Sequence, residues 1–254
     1  MSGHSKWAQI RRSKGVNDAR RGQLFTRLGR ELVVAVREGG SGDPNANFRL
    51  RMAVQRARDA NMPMDNIERT IKRAVSGSEG NNLEEITYEG YGPGGTAIVV
   101  QTLTDNRNRT VAEVRNAFNR NAGNMGENGC VDWLFEVKGV IEVELQGHDP
   151  DELSLEILDL GAEDVEPVNP DDEVLTVYTE PSEVEKVHQA LEKHNYKVLK
   201  SESTLVPQTK IELAEEKVAH QAIRLIEKLE ELDDVQNVYT NADFPEVFAA
   251  SYGA

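Results

Sequence analysis

VIEVEL (140–145), DELSLEILDL (151–160), EDVEPV (163–168), EVLTVYT (173–179), SEVEKVHQALEKH (182–194) and YKVLKSESTLV (196–206) follow one another after Gly139. They read as strand, helix, strand, strand, helix, strand. That order is βαββαβ, the split ferredoxin-like unit, and it is complete in itself. The elements on either side of residues 139–206 must therefore belong to something else. Downstream lie one amphipathic helix, Ala214 to Leu232, and one strand near Val235 to Thr240, too little to bury a core alone.

Upstream, Glu85–Tyr91 and Thr96–Leu103 read as strands around Gly92, Pro93, Gly94 and Gly95. Thr110 with Glu113 forms a capping-box pattern for a helix carrying Val111, Val114, Ala117 and Phe118, closed by Gly123, and a strand follows over 131–137. Joined across the insertion, residues 76–138 and 207–241 make a discontinuous α+β domain, with Pro207 marking the return and 242–254 left as a tail. One large sheet over 76–254 is the competing arrangement.

Further upstream the period is helical. Leu24, Leu28, Leu32 and Val36 form one row, with Phe25 and Val33 beside it, ended by Gly39, Gly40 and Gly42. Asp43 before Pro44 reads as the cap of a second helix that buries Leu50, Ala53, Val54 and Ala57. Asn61 and Pro63 break it. Asp65 with Glu68 suggests a capping box for a third helix striped by Ile67, Ile71 and Val75 and stopped at Gly77. The expected architecture is multidomain α+β: a basic tail (1–21), a three-helix bundle (22–75), and two ferredoxin-like α+β domains, one inserted in the other.

Charge divides the chain in the same place. Residues 1–75 hold 16 Lys and Arg against 7 Asp and Glu, and the remainder 13 against 37, a polarity that the net charge of -15 conceals. A surplus of guanidinium groups releases counterions from a nucleic acid backbone, whereas an acidic body is repelled by the same polyanion. Arg20, Arg27, Arg30 and Arg37 are spaced 7, 3 and 7 on the first helix; Arg49 with Arg56 and Arg51 with Arg58 repeat the spacing of seven on the second; Arg69, Lys72 and Arg73 add a patch on the third. A solvated face ordinarily mixes signs, so one sign on every helix points to nucleic acid. In the tail, Trp7 stands among His4, Lys6, Arg11, Arg12 and Lys14, a setting in which an indole either stacks on an unpaired base or packs on the bundle. The candidate contacts are His4, Lys6, Trp7, Arg11, Arg12, Lys14, Arg20, Arg21, Arg27, Arg49 and Arg51. A second candidate is the polar connection 105–110, where Arg107 and Arg109 precede or open a helix whose N–H groups could meet phosphate.

Catalytic signatures are missing. The single cysteine, Cys130, excludes an internal disulfide and a cysteine-rich zinc site, the five histidines lack metal-ligand spacing, and no serine sits in a nucleophile elbow. Gly90, Gly92, Gly94 and Gly95 are followed by a strand, which argues against a phosphate-cradling loop. The expectation is a protein without enzymatic activity, cofactor or metal. The N-terminus lacks an apolar signal core and no segment approaches 18 apolar residues in a row, so a cytoplasmic, non-membrane protein is expected.

Gly3-His-Ser-Lys-Trp-Ala8, Asp43-Pro-Asn-Ala-Asn47, Asn61-Met-Pro63, Tyr88-Glu-Gly-Tyr-Gly-Pro-Gly-Gly-Thr-Ala97 and Asp105-Asn-Arg-Asn-Arg-Thr110 resemble, in order and over nearly the full length, the YebC family. The resemblance implies a helical N-terminal domain and two α+β domains, one inserted in the other. It implies a non-enzymatic regulator of gene expression: either a DNA-binding transcriptional regulator, or a ribosome-associated translation factor that eases elongation through proline-rich stretches. Ribosomal RNA or duplex DNA is the implied partner, with large-subunit ribosomal proteins beside it. The tail departs from the family's usual Ala-Asn-Ile-Lys-His-Arg-Lys-Ala by having Gln9 and then Arg11, Arg12, Ser13, Lys14 and Gly15, which keeps the charge but removes an Asn and a His. The residues alone lean toward RNA, because one basic unit without an evident dimer element does not match a palindromic operator.

Overall fold

The computed structural model describes residues 18–77, 83–168 and 173–245, the side chains of 18–21 and 23 excepted. Helices α1 (Asp18–Gly39), α2 (Phe48–Asp59) and α3 (Met64–Val75) bury Leu28, Leu32, Ala35, Val36, Leu50, Ala53, Val54, Ala57 and Ile67 in one cluster. Leu32, Leu50 and Ile67 are almost wholly shielded, and each such side chain contributes roughly 1.5–3 kcal/mol. Val33 and Val34 are buried as well, so α1 is covered on more than its bundle side.

Two helix starts in the bundle differ from the sequence expectation. α2 begins at Phe48 instead of after Asp43: the Asn47 Oδ1 accepts from Leu50 N at 3.0 Å while its amide donates to Ala35 O at 2.8 Å and Ser41 O at 2.9 Å. Asp43 spends its carboxylate on a local turn, accepting from Asn45 N at 2.9 Å. Asn47 caps the helix and also ties the loop to α1, which a carboxylate of the same size, lacking N–H groups, cannot do. A Cβ on Gly39 would collide with the Asn47 amide. In α3, Pro63 precedes the first turn without a side-chain cap, and Asp65 lies inside that turn, beside the positive end of the helix dipole.

The middle unit contains β1 (Glu84–Tyr91), β2 (Ala97–Thr104), α4 (Arg107–Arg120) and β3 (Asn124–Met125). After the insertion come β8 (Ile211–Glu212), α7 (Glu216–Glu230), β9 (Val235–Thr240) and β10 (Ala242–Asp243). Its sheet runs β3-β1-β2-β9, antiparallel throughout. Alternation along β2 assigns the faces: Ile98 and Val100 pack on α4 and α7, whereas Ala97 and Val99 pack with Val131, Phe135 and Tyr239. Ala242 and Asp243, expected to open the tail, pair in parallel with Ile211 and Glu212 and so belong to this unit.

The third strand of this sheet is Asn124–Met125, not the expected 131–137. Backbone N–H groups of Gly129, Val131 and Asp132 are taken by the buried Glu89 carboxylate, at 2.6, 2.9 and 2.8 Å, so that stretch has no donors left for a ladder there. The chain makes a single 3₁₀ turn at Asp132–Leu134 and enters β4 (Phe135–Glu144), which runs continuously into the inserted unit. There β4, α5 (Pro150–Asp159), β5 (Asp164–Val165), β6 (Val174–Thr179), α6 (Val184–Lys193) and β7 (Val198–Pro207) give the sheet order β5-β6-β4-β7, all antiparallel. Two four-stranded sheets thus replace the single-sheet alternative. In α4, Asn106 is the cap, accepting from Arg109 N at 3.1 Å, and the expected Thr110 cap is instead a buried residue of the first turn.

Candidate nucleic-acid interface

The bundle and the 105–110 connection, read from the sequence as separate sites, meet on one carboxylate. Asp234, in the turn between α7 and β9, is 1% exposed. Its Oδ1 accepts from Arg30 of α1 at 3.0 Å, and Arg109 of α4 donates to both its oxygens, at 3.0 and 2.7 Å. The hydroxyls of Thr104 and Thr110 complete the shell at 3.0 and 2.7 Å. Arg30 also donates to the Leu103 and Asp233 carbonyls, and Arg109 to Asp105 at 3.0 Å. Burial by itself would raise the Asp234 pKa. The hydrogen bonds from Arg109, Thr110 and Thr104 outweigh it and hold the carboxyl below its ordinary value, so it is ionised.

The helical cations fall into two groups. One group joins domains. Arg37 donates to Leu83 O at 2.9 Å, Arg51 pairs with Glu185 of α6 at 2.9 Å while lying 5.3 Å over the Phe48 ring, and Arg56 bridges Glu31 at 2.6 Å and Glu202 of β7 at 2.8 Å. Burial, with Glu202 nearby, raises the pKa of Glu31 against the pull of Arg56. Arg49 pairs with Glu38 of the preceding helix. The second group is outward. Arg58, Arg69, Lys72 and Arg107 are exposed and form no ion pair among the described residues; Arg69, Lys72 and Arg73 line an open cleft on α3 with Asp65, Glu68 and Ser76.

Of the sequence candidates, His4, Lys6, Trp7, Arg11, Arg12 and Lys14 lie outside the described residues. Arg20 and Arg21 lie on α1, and Arg27 is half-buried one turn before Arg30. Arg49, Arg51 and Arg109 already hold carboxylates, so any phosphate would have to exchange with an existing partner. Sequence reading missed Asp234 and undervalued Arg30. It also passed over α4, which exposes Arg107, Asn108, Arg115, Asn116, Asn119 and Arg120 and carries one half-buried acid, Glu113, an exception within an acidic half. That signal was available in the helical periodicity of 107–120.

The 105–110 connection, which carries part of the sequence resemblance, is thus built into the junction between the bundle and the middle unit. Residues 83–242 match the family model described as the TACO1/YebC second and third domain, and residues 5–77 match the TACO1/YebC protein N-terminal domain. The chain belongs to the TACO1/YebC family. A relative from Chloroflexus aurantiacus, named a probable transcriptional regulatory protein, is 53% identical over 256 residues and 100% of both chains. Another so named, from Dehalococcoides mccartyi, is 51% identical over 248 residues and 97% of both. The crystal structure of a conserved hypothetical protein from Aquifex aeolicus superposes with a TM-score of 0.81 at 46% identity, over 90% of this chain and 93% of that one. Among this chain's described residues no helix is long and apolar enough to cross a membrane.

Proposed function

We propose that this TACO1/YebC protein is a non-catalytic, nucleic-acid-binding regulator of gene expression in the cytoplasm, acting as a ribosome-associated translation factor that contacts ribosomal RNA. The observation that carries the reading is the charge partition placed on the fold: outward cations on α3 and at the start of α4, and the cationic first helix locked to the middle domain through Asp234. Exposed cations on a helical unit that is tied to the middle domain suit a folded polyanion, which offers shape and unstacked bases together. Easing elongation through proline-rich stretches is the activity that the family resemblance adds.

The names of its relatives favour a second reading, direct transcriptional regulation on duplex DNA. The two differ in what they require of specificity. A DNA regulator gains about 4–10 kcal/mol on its site over non-specific duplex, whereas a ribosome factor binds duplex only as a polycation does. Sedimentation of a cell extract near physiological salt decides between them. Co-migration with the large ribosomal subunit, lost on removal of residues 1–21, is expected. A footprint on a defined promoter at the same salt, with no ribosomal retention, overturns the translation reading.

A further inference from the structure

Trp133 is 67% exposed and Tyr91 41% exposed, and the two rings are fixed by one atom. The Tyr91 hydroxyl donates to the Cys130 carbonyl at 3.0 Å and the Trp133 indole N–H donates to the same oxygen at 3.2 Å. That oxygen does not drift, because the segment around it is held from beneath: Glu89, 5% exposed, binds three backbone N–H groups at 129, 131 and 132, and Val131 and Phe135 are buried against the sheet. Both polar handles are satisfied internally, so what the pair presents to solvent is ring surface, already ordered before anything binds. Aromatic residues kept at the surface at this exposure mark contact sites, where Trp, Tyr and Arg are enriched.

Charge selects the occupant. Residues 124–136, which carry Trp133, include Glu127, Asp132 and Glu136 and no Lys or Arg. Glu127 and Asp132 are exposed and form no ion pair among the described residues. The Cys130 N–H donates to the Glu127 carbonyl at 3.2 Å, so Glu127 opens the turn that carries the shared oxygen. A phosphate chain would be repelled from this segment. A guanidinium is attracted twice, by the ring faces and by the carboxylates.

We propose that Tyr91 and Trp133, flanked by Glu127 and Asp132, form a docking site for an arginine side chain of a basic protein segment, on the opposite side of the middle sheet from α4. The site gives the acidic body a partner of opposite sign.

The test uses the full chain with Trp7→Phe, which leaves Trp133 as the sole tryptophan. The probes are an arginine octapeptide, its citrulline and lysine counterparts, and oligo(U), each at physiological salt, read by Trp133 emission and by anisotropy of the labelled probe. The arginine peptide should change Trp133 emission saturably and bind better than the lysine peptide, with citrulline weakest. Trp133→Ala, which leaves net charge unchanged, should weaken it by about three- to thirtyfold, the range of an exposed to a desolvated cation–π contact. Asp132→Asn with Glu127→Gln should weaken it several-fold as well. Trp133→Leu keeps apolar bulk without a π face and must also lose affinity, which guards against a folding defect in the alanine variant. Unchanged arginine-peptide affinity in both Trp133 variants would overturn the site, leaving only the diffuse attraction of an acidic body. So would oligo(U) occupying Trp133 more tightly than the arginine peptide, which would make the pair a base-stacking surface.

Discussion

Asp234 shows how much one carboxylate can carry in a protein with 44 acidic residues. It neutralises Arg30 and Arg109 and binds two hydroxyls, joining α1, the end of β2, the start of α4 and the turn before β9. Asp234→Asn retains the shape but removes the charge, and leaves two guanidinium groups facing a neutral amide. We expect a loss of about 2–3 kcal/mol, read as a lower denaturant midpoint, below the cost of breaking a fully buried pair because Arg109 remains partly solvated. The pH dependence has a definite sign. A carboxyl whose folded pKa is depressed contributes stability above its unfolded value, near pH 4, and that contribution is lost as pH falls through the lower, folded value. The wild-type midpoint should therefore drop more steeply than that of Asp234→Asn below about pH 4. Nothing in the run Glu230-Glu-Leu-Asp-Asp234 distinguishes this residue from its neighbours; only the packing of four distant segments around it does.

Along the helices, spacing gave the cations their rows but not their tasks. Arg51 and Arg58 are seven apart on α2 and share a face by periodicity, yet Arg51 reaches Glu185 while Arg58 reaches solvent. The two classes should separate in experiment. Replacing Arg58, Arg69 and Lys72 by Gln should leave the thermal midpoint nearly unchanged and flatten the salt dependence of polyanion binding, by about 0.7 per lost contact on single strands or 0.9 on duplex. Arg56→Ala should do the opposite, costing about 2 kcal/mol through the stranded Glu31 and the lost bridge to Glu202, which keeps Lys200, while leaving the salt slope in place. An unchanged slope in the triple variant would reduce the outward cations to a solvated face. Hydrophobic period made the buried stripe of α2 legible, but not every element's boundaries. They shifted where a polar side chain found a better partner across space: Asn47 on α1, Thr110 on Asp234, and the donors of 129–132 on Glu89.

At the scale of the molecule, the inserted unit leaves and re-enters through neighbouring strands, since Phe135 and Pro207 are register partners. Removing 136–206 and joining the flanks with a few Gly and Ser residues should leave a folded remainder, less stable by the loss of Leu205 packing and of the Arg51 and Arg56 pairs, and the excised unit should fold too. Circular dichroism with a cooperative melt on each piece checks this; a molten remainder would mean that the three units fold only together. The sequence by itself determined the α+β class, the βαββαβ order, the discontinuous middle unit, the three-helix bundle and the split of charge between the two ends, because hydrophobic period and net charge are local or additive properties. The tertiary structure alone decided which arginines are spent on domain junctions, that β4 serves as the passage between sheets, and that Trp133 and Tyr91 stand together on one carbonyl. Those outcomes depend on which buried donors and acceptors meet across tens or hundreds of residues, and no local pattern encodes that meeting.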